Sequence, residues 1–187
     1  MPDRALRSLA EATAGQVQDF LDTVTEVAAG ANSGAAISLL LLATSDVLTT
    51  GARLGATVDV VPPTRFEPDL GPDPDLEPLR GGLANVLDGL DVFAEVVDPL
   101  FGTEVVEASV TNDLVHIAEA LAQGLKHYEA GQVLEALWWW QYSFFSQWGE
   151  RAAALTRVFH AMLAHLRLDV DDDVAQEAEF EALHPVD

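Results

Sequence analysis

The sequence predicts an all-α, bundle-like single domain of about five or six helices, with a Pro-rich connection inside it and an acidic C-terminal tail. Three observations carry that prediction. Apolar residues recur at helical spacing in several long stretches, prolines concentrate between positions 55 and 78, and 187 residues suffice to bury a sizeable core without disulfides.

The first stretch runs from about Arg4 to Ala29. Val17, Phe20, Leu21, Val24, Val27 and Ala28 share one side there, and Asp19, Asp22 and Glu26 take the others. Gly30-Ala31-Asn32-Ser33-Gly34 has turn and cap chemistry, and Ile37 to Arg53 reads as a second helix, apolar nearly all round over its first half. Its longest apolar run, Ala35 to Ala43 broken by Ser38, falls short of the ~20 residues that span a bilayer, so it is expected to be a buried core helix, with no membrane role.

Between Gly55 and Pro78, six prolines (Pro62, Pro63, Pro68, Pro72, Pro74 and Pro78) deny a regular helix and impose a long extended connection. Val58 to Val61 fits a short edge strand or, better, a segment draped over the helices. Leu79 to Leu90 suits a short helix weakened by Gly81, Gly82 and Gly89, after which Val92, Phe93, Val96 and Val97 suggest apolar anchoring without a clear period.

Regularity returns at Thr111-Asn112-Asp113, an N-cap with a first-turn acid. Leu114, Ile117, Ala118, Leu121, Leu125 and Tyr128 then form a stripe, with His116, Glu119, Gln123 and Lys126 expected in solvent opposite it. Ala130-Gly131 ends that helix. Gln132 to Trp148 begins an aromatic one, which Gly149 either kinks or separates from Arg151 to Leu168, where Leu155, Val158, Phe159, Met162, Leu163 and Leu166 form the last stripe. The helical domain is thus 1–168. The tail, 169–187, has eight acids and no Lys or Arg and is expected to stay solvated or mobile.

Charge and composition bound the function. Asp and Glu number 31 against nine Lys and Arg, a formal charge of −22. A field of that sign repels phosphates, which argues against direct binding to a nucleic-acid backbone or an anionic membrane and favours basic partners, cations or high-salt solubility. The absence of cysteine removes thiol catalysis and thiolate metal sites, and fits a cytoplasmic setting. The N-terminal pattern is amphipathic and unlike a signal peptide.

The segment Leu137 to Gly149 holds all four tryptophans and seven of the fourteen aromatic residues. On a wheel at about 100° per residue, Val133, Leu134, Leu137, Trp140, Phe144, Phe145 and Trp148 fall on one wide arc with Trp138 and Tyr142 on its shoulder. That arc is the expected core. Trp139 points instead toward Gln132, Glu135, Ser143 and Ser146, where an indole would meet water unless a second surface covers it. Gln141 lies within the apolar arc and, if buried, must either satisfy a backbone carbonyl or line a polar pocket with Tyr142, Ser143 or Ser146.

No catalytic, cofactor or metal motif emerges. His160 and His165 sit five residues apart on opposite flanks of the last stripe, unlike an i, i+4 ligand pair. Asp113-x-x-His116 has no second copy to complete a di-metal bundle site. The acidic runs starting at Asp73 and Asp169 lack the Gly and Glu of an EF-hand loop.

Tyr128-Glu129-Ala130-Gly131, Glu135 through Gly149 with its Trp-Trp-Gln-Tyr-Ser-x-x-Ser-x-Trp-Gly pattern, and His165-Leu166-Arg167 together resemble the bacterial family called domain of unknown function 5063. The resemblance runs from the first helix to about Leu168. It implies small cytoplasmic proteins, mainly of actinobacteria, and assigns no catalytic residue.

Two functional readings follow. The first is an interaction or regulatory module that holds a protein partner, or a second copy of itself, near Trp139. The alternative is a small-ligand-binding protein or enzyme whose pocket beside the aromatic helix uses Gln141, Tyr142 and His160.

Overall fold

The computed structural model describes residues 4–57, 59–62, 68–97 and 100–168. Helix α1 (Arg4–Ala28) is followed by a 3-10 turn (Ser33–Ala35) and α2 (Ala36–Gly55). Beyond the Pro-rich connection come α3 (Glu77–Val86), β1 (Val92–Val96), β2 (Val105–Ser109), α4 (Val110–Glu129), α5 (Val133–Ser143), a π-helical turn (Phe144–Trp148) and α6 (Gly149–Leu168). The last three run on without a break, so the described residues form five continuous helical rods, an all-α domain as the apolar periodicity predicts.

Two of the helix ends follow directly from local sequence. Gly30 and Gly131 adopt φ of 76° and 78°, a region that costs glycine nothing. After α1, the Gly30 N–H donates to Val27 O and the Ala31 N–H to Glu26 O; after α4, Gly131 and Gln132 do the same to Tyr128 and His127. Both ends are therefore Schellman motifs, which satisfy carbonyls that a helix terminus leaves orphaned. The start of α4 differs from expectation. Ser109, not the Thr111-Asn112-Asp113 run, is the cap, its hydroxyl accepting from the Asn112 N–H at 3.1 Å.

Packing is organised by α2 against α1 and α6, and by α4 against α1 and α5, with α3 closing over α1 and α4. The fully buried large side chains, among them Phe20, Leu40, Leu54, Leu114, Leu137, Trp140, Trp148 and Phe159, form one continuous core. Close approach at its centre needs Gly124, where an added Cβ would collide with the Trp140 indole. That indole is fully buried and donates to Leu121 O at 3.0 Å. Burying such a ring contributes about 2–3 kcal/mol and its hydrogen bond about 1, so packing fixes Trp140 first. Ser33–Gly55 is long and apolar enough, by length and composition, to cross a membrane; here α2 packs between α1 and α6 and contributes Leu40, Val47 and Leu54 to the core.

Four expectations are corrected. Val92 to Val97 belongs to an antiparallel hairpin whose register pairs Val92 with Ser109 and Val96 with Val105. Phe145 and Leu166, placed on core stripes by a uniform wheel, are 67% and 71% exposed. The Glu135 and Ser143 side of α5, expected near water, is buried. Gly149 is helical and does not separate the aromatic helix from the last one. Of the Val58–Val61 segment, Val58 lies outside the described residues and 59–61 form no strand: Val60 is buried and draped on the helices. The acidic tail lies outside the described residues.

The π-turn explains the displacement of Phe145. The Gly149 N–H donates to Phe144 O, five residues back, so one extra residue is taken up within the helix. Trp148 then stands seven helical steps past Trp140 instead of eight and returns to within about 20° of the same face. Leu155 and Phe159 follow on that face, and all four are buried. Phe145, inside the wide turn, is swung outward.

Candidate functional site

Trp139 leaves α5 toward α4. Its ring lies parallel to the His127 imidazole, with centroids 6.5 Å apart, and edge-on to Trp138 at 5.3 Å. It is half-buried, and its indole N–H has no hydrogen-bond acceptor among the described residues. His127 is held in place by Gln132, whose Oε1 lies 2.7 Å from Nδ1. Trp139 therefore forms a fixed wall.

That wall faces a cleft of about 640 Å³ lined by His116, Glu119 and Gln123 of α4, by Gln147 and Trp148 of the π-turn, and by Arg151 of α6. Asp73 and Pro74 close its outer side. They are pinned there by Lys126, which donates to Pro72 O at 3.2 Å and lies 3.8 Å from Asp73. The Pro-rich connection, extended because its prolines deny a helix, thus becomes part of a cleft.

Arg151 is positioned from beneath. Its Nε lies 3.3 Å from Oδ1 of Asp113, a first-turn residue of α4 that is only 8% exposed. Burial pushes the Asp113 carboxyl above its ordinary range, opposed by the positive fields of Arg151 and His116. Asp91 is the opposite case: burial works to raise it, but the Thr111 and Ser109 side chains and the Thr111 N–H hold it lower. Glu95 on β1 is raised, first by burial and then by the nearby carboxylates of Asp113 and Glu150.

The four residues singled out from the sequence do not share one cavity. Gln141 is buried and satisfied by backbone: its Nε2 donates to Leu54 O at 2.8 Å and its Oε1 accepts from Val60 N–H at 3.0 Å. It clamps the start of the connection to α2. Tyr142 lies next to it, half in solvent and stacked on Trp138 at 5.2 Å, beside a shallow depression of about 380 Å³ that Gln141 also lines. His160 is exposed on a third surface, with Leu41, Leu42 and Leu163 between α2 and α6. Trp139 faces its own cleft, although its ring meets that of Tyr142 edge-on with centroids 6.5 Å apart.

His116, Gln147 and Arg151 were not singled out from the sequence as members of such a site. His116 and Glu119 were expected on a solvent face, and they are exposed, but as one wall of the cleft. Arg151 gave no signal, because a uniform wheel assigns its direction wrongly across the π-turn.

A second surface is the hairpin. β1 and β2 pair only with each other among the described residues. Val92 is 63% exposed and Val105 58%, and Phe101 near the tip is 88% exposed. Phe93 and Glu95, on the other face of β1, are turned partly inward.

Comparison with known proteins supplies a family and a fold. The sequence model of a family described as "Domain of unknown function (DUF5063)" matches residues 4–165. No curated protein matches the sequence. A solved structure, that of protein BF1032 from Bacteroides fragilis, is similar with a TM-score of 0.66 at 14% sequence identity, covering 86% of this chain and 92% of that one. At that identity the likeness speaks for the fold alone.

Proposed function

We propose, from the premise that this chain belongs to the DUF5063 family, that it acts by recognising a protein partner through its β-hairpin. The observation that carries this reading is the hairpin's exposed valines. Val92, Val96, Val105 and Val106 leave apolar surface in water beside two open strand edges, and such surface is a hallmark of interaction sites. Open edges pair with an extended segment through main-chain hydrogen bonds.

Charge narrows the occupant. From Gly81 to Leu125 the sequence has no Lys or Arg, whereas Glu95, Glu104 and Glu107 lie on the hairpin. A second copy would set glutamates against glutamates, which opposes pairing. The complementary partner is an extended segment that alternates aliphatic and basic residues. The expected cytoplasmic setting belongs to the same proposal and rests on the cysteine-free composition.

The test is fluorescence anisotropy with a labelled peptide of alternating valine and lysine. Saturable binding that weakens with salt, disappears in a Val96→Asp/Val105→Asp variant, and is absent for a valine–glutamate peptide is the expected result. Equal binding by that variant, or a wild-type chain that sediments as a dimer held by the hairpin, would overturn the reading.

A further inference from the structure

We propose that the cleft between Trp139 and Arg151 is a binding site for a small amphoteric molecule bearing a flat apolar group, the chemical class of the aromatic amino acids. The site is separate from the hairpin and stands on different observations.

The π-turn provides the main one. In an uninterrupted helix the residue that returns to the face of Trp139 after three turns is eleven positions on, which is Glu150. With one residue taken up by the turn it is Arg151, within about 20° of Trp139. Glu150 is exposed elsewhere, and Arg151 lines the cleft. An otherwise acidic wall thereby receives a cation. π-turns interrupt the favoured hydrogen-bond pattern and recur at functional sites, which accords with this placement.

The cation is also held still. Asp113, buried beneath it, forms an ion pair with Nε at 3.3 Å, without a hydrogen bond, and with the bond from Nη1 to Gln147 O it limits the rotamers that a guanidinium on a flexible stem would otherwise explore. Nη1 donates to Gln147 O at 3.5 Å, and the other outer nitrogen, Nη2, suits a carboxylate. Opposite charge is supplied by Glu119, whose Oε2 lies 3.6 Å from the His116 imidazole, and by Asp73 at the rim. Trp139 and Pro74 provide flat apolar walls between them.

Overall charge then selects among ligands. A simple anion approaches Arg151 against the field of a chain with formal charge −22, and a simple cation gains Glu119 but meets Arg151. A molecule with both a carboxylate and an ammonium has a partner for each end and no net charge to be repelled. Its aromatic group is left for the Trp139 wall.

The experiment compares three probes on the full-length chain by thermal shift and intrinsic tryptophan fluorescence: L-phenylalanine, 3-phenylpropionate and phenethylamine. L-Phenylalanine is expected to bind about tenfold tighter than either singly charged analogue. Arg151→Gln should remove its advantage over phenethylamine, and Glu119→Gln, at an exposed position that leaves packing intact, its advantage over 3-phenylpropionate. The Val96→Asp/Val105→Asp variant should bind all three as wild type does. Absence of saturable change with every probe up to about 10 mM, or equal binding of an analogue with one charge, would overturn the proposal.

Discussion

At the scale of single residues, Gln141 shows how a polar side chain earns a place in a core. Its amide satisfies Leu54 O and Val60 N–H at once, joining the end of α2 to the connection. Gln141→Leu keeps the volume but leaves the buried Val60 N–H without its partner, while Leu54 O keeps its bond from the Thr57 N–H, and is expected to cost roughly 1–3 kcal/mol, measured by urea denaturation. A loss below about 0.5 kcal/mol would mean that water replaces the amide. Asp113 makes a prediction about pH. Its carboxyl is raised in the folded state, so folding favours its protonated form; that contribution is complete below the unfolded value and is lost as pH rises through the folded one. As pH rises above the ordinary carboxyl value of 3.8, the stability of wild type relative to Asp113→Asn should therefore fall. A difference that grows instead would show the attraction of Arg151 outweighing burial. The need of Gln141 for partners could be read from its type and its place in the apolar arc. Which partners it takes could not, because Val60 lies 81 positions away.

At the scale of elements, the helices were legible and one geometric irregularity was not. Apolar spacing and the glycines at 30 and 131 located α1, α2 and α4 to within a few residues, since period and caps depend on neighbours within about one turn. In the α5–α6 rod, what local spacing leaves open is the register across the π-turn after Ser143. A π-turn has no compositional signature in Phe144-Phe145-Ser146-Gln147-Trp148, so the outward Phe145 and the register of Arg151 against Trp139 are not legible, whereas Trp148, Leu155 and Phe159 are core residues as their spacing implies. Deleting Ser146, which is exposed and bonds only to the preceding turn through Tyr142 O, should restore α geometry while Trp140, Trp148, Leu155 and Phe159 keep one face. The shortened chain is expected to unfold cooperatively at a melting temperature equal to or above that of wild type, followed by circular dichroism. Loss of cooperativity would show that the core needs the wide turn itself. The hairpin was missed for a related reason: β1 is so exposed that its burial does not produce a clean alternation of apolar and polar residues.

At the scale of the whole molecule, charge and core pull in opposite directions. A chain of formal charge −22 repels itself in the folded state, and salt screens that repulsion over about 10 Å at 0.1 M. The melting temperature should consequently rise from about 20 mM to 500 mM sodium chloride, a range across which screening becomes short. A fall would mean that ion pairs such as Arg151–Asp113 outweigh the general repulsion. By itself, the sequence determined the helical class, the positions of most helices, the family resemblance, the sign of the field and the concentration of aromatics, because these depend on composition and on neighbours a few residues apart. The tertiary structure alone decided that Arg151 rather than Glu150 faces Trp139, that Asp73 and Pro74 close a cleft, and that Gln141, Tyr142 and His160 do not share one with Trp139. Those outcomes depend on register across a helix irregularity and on contacts between distant segments, where packing of the whole chain selects one arrangement from many that local preference allows equally.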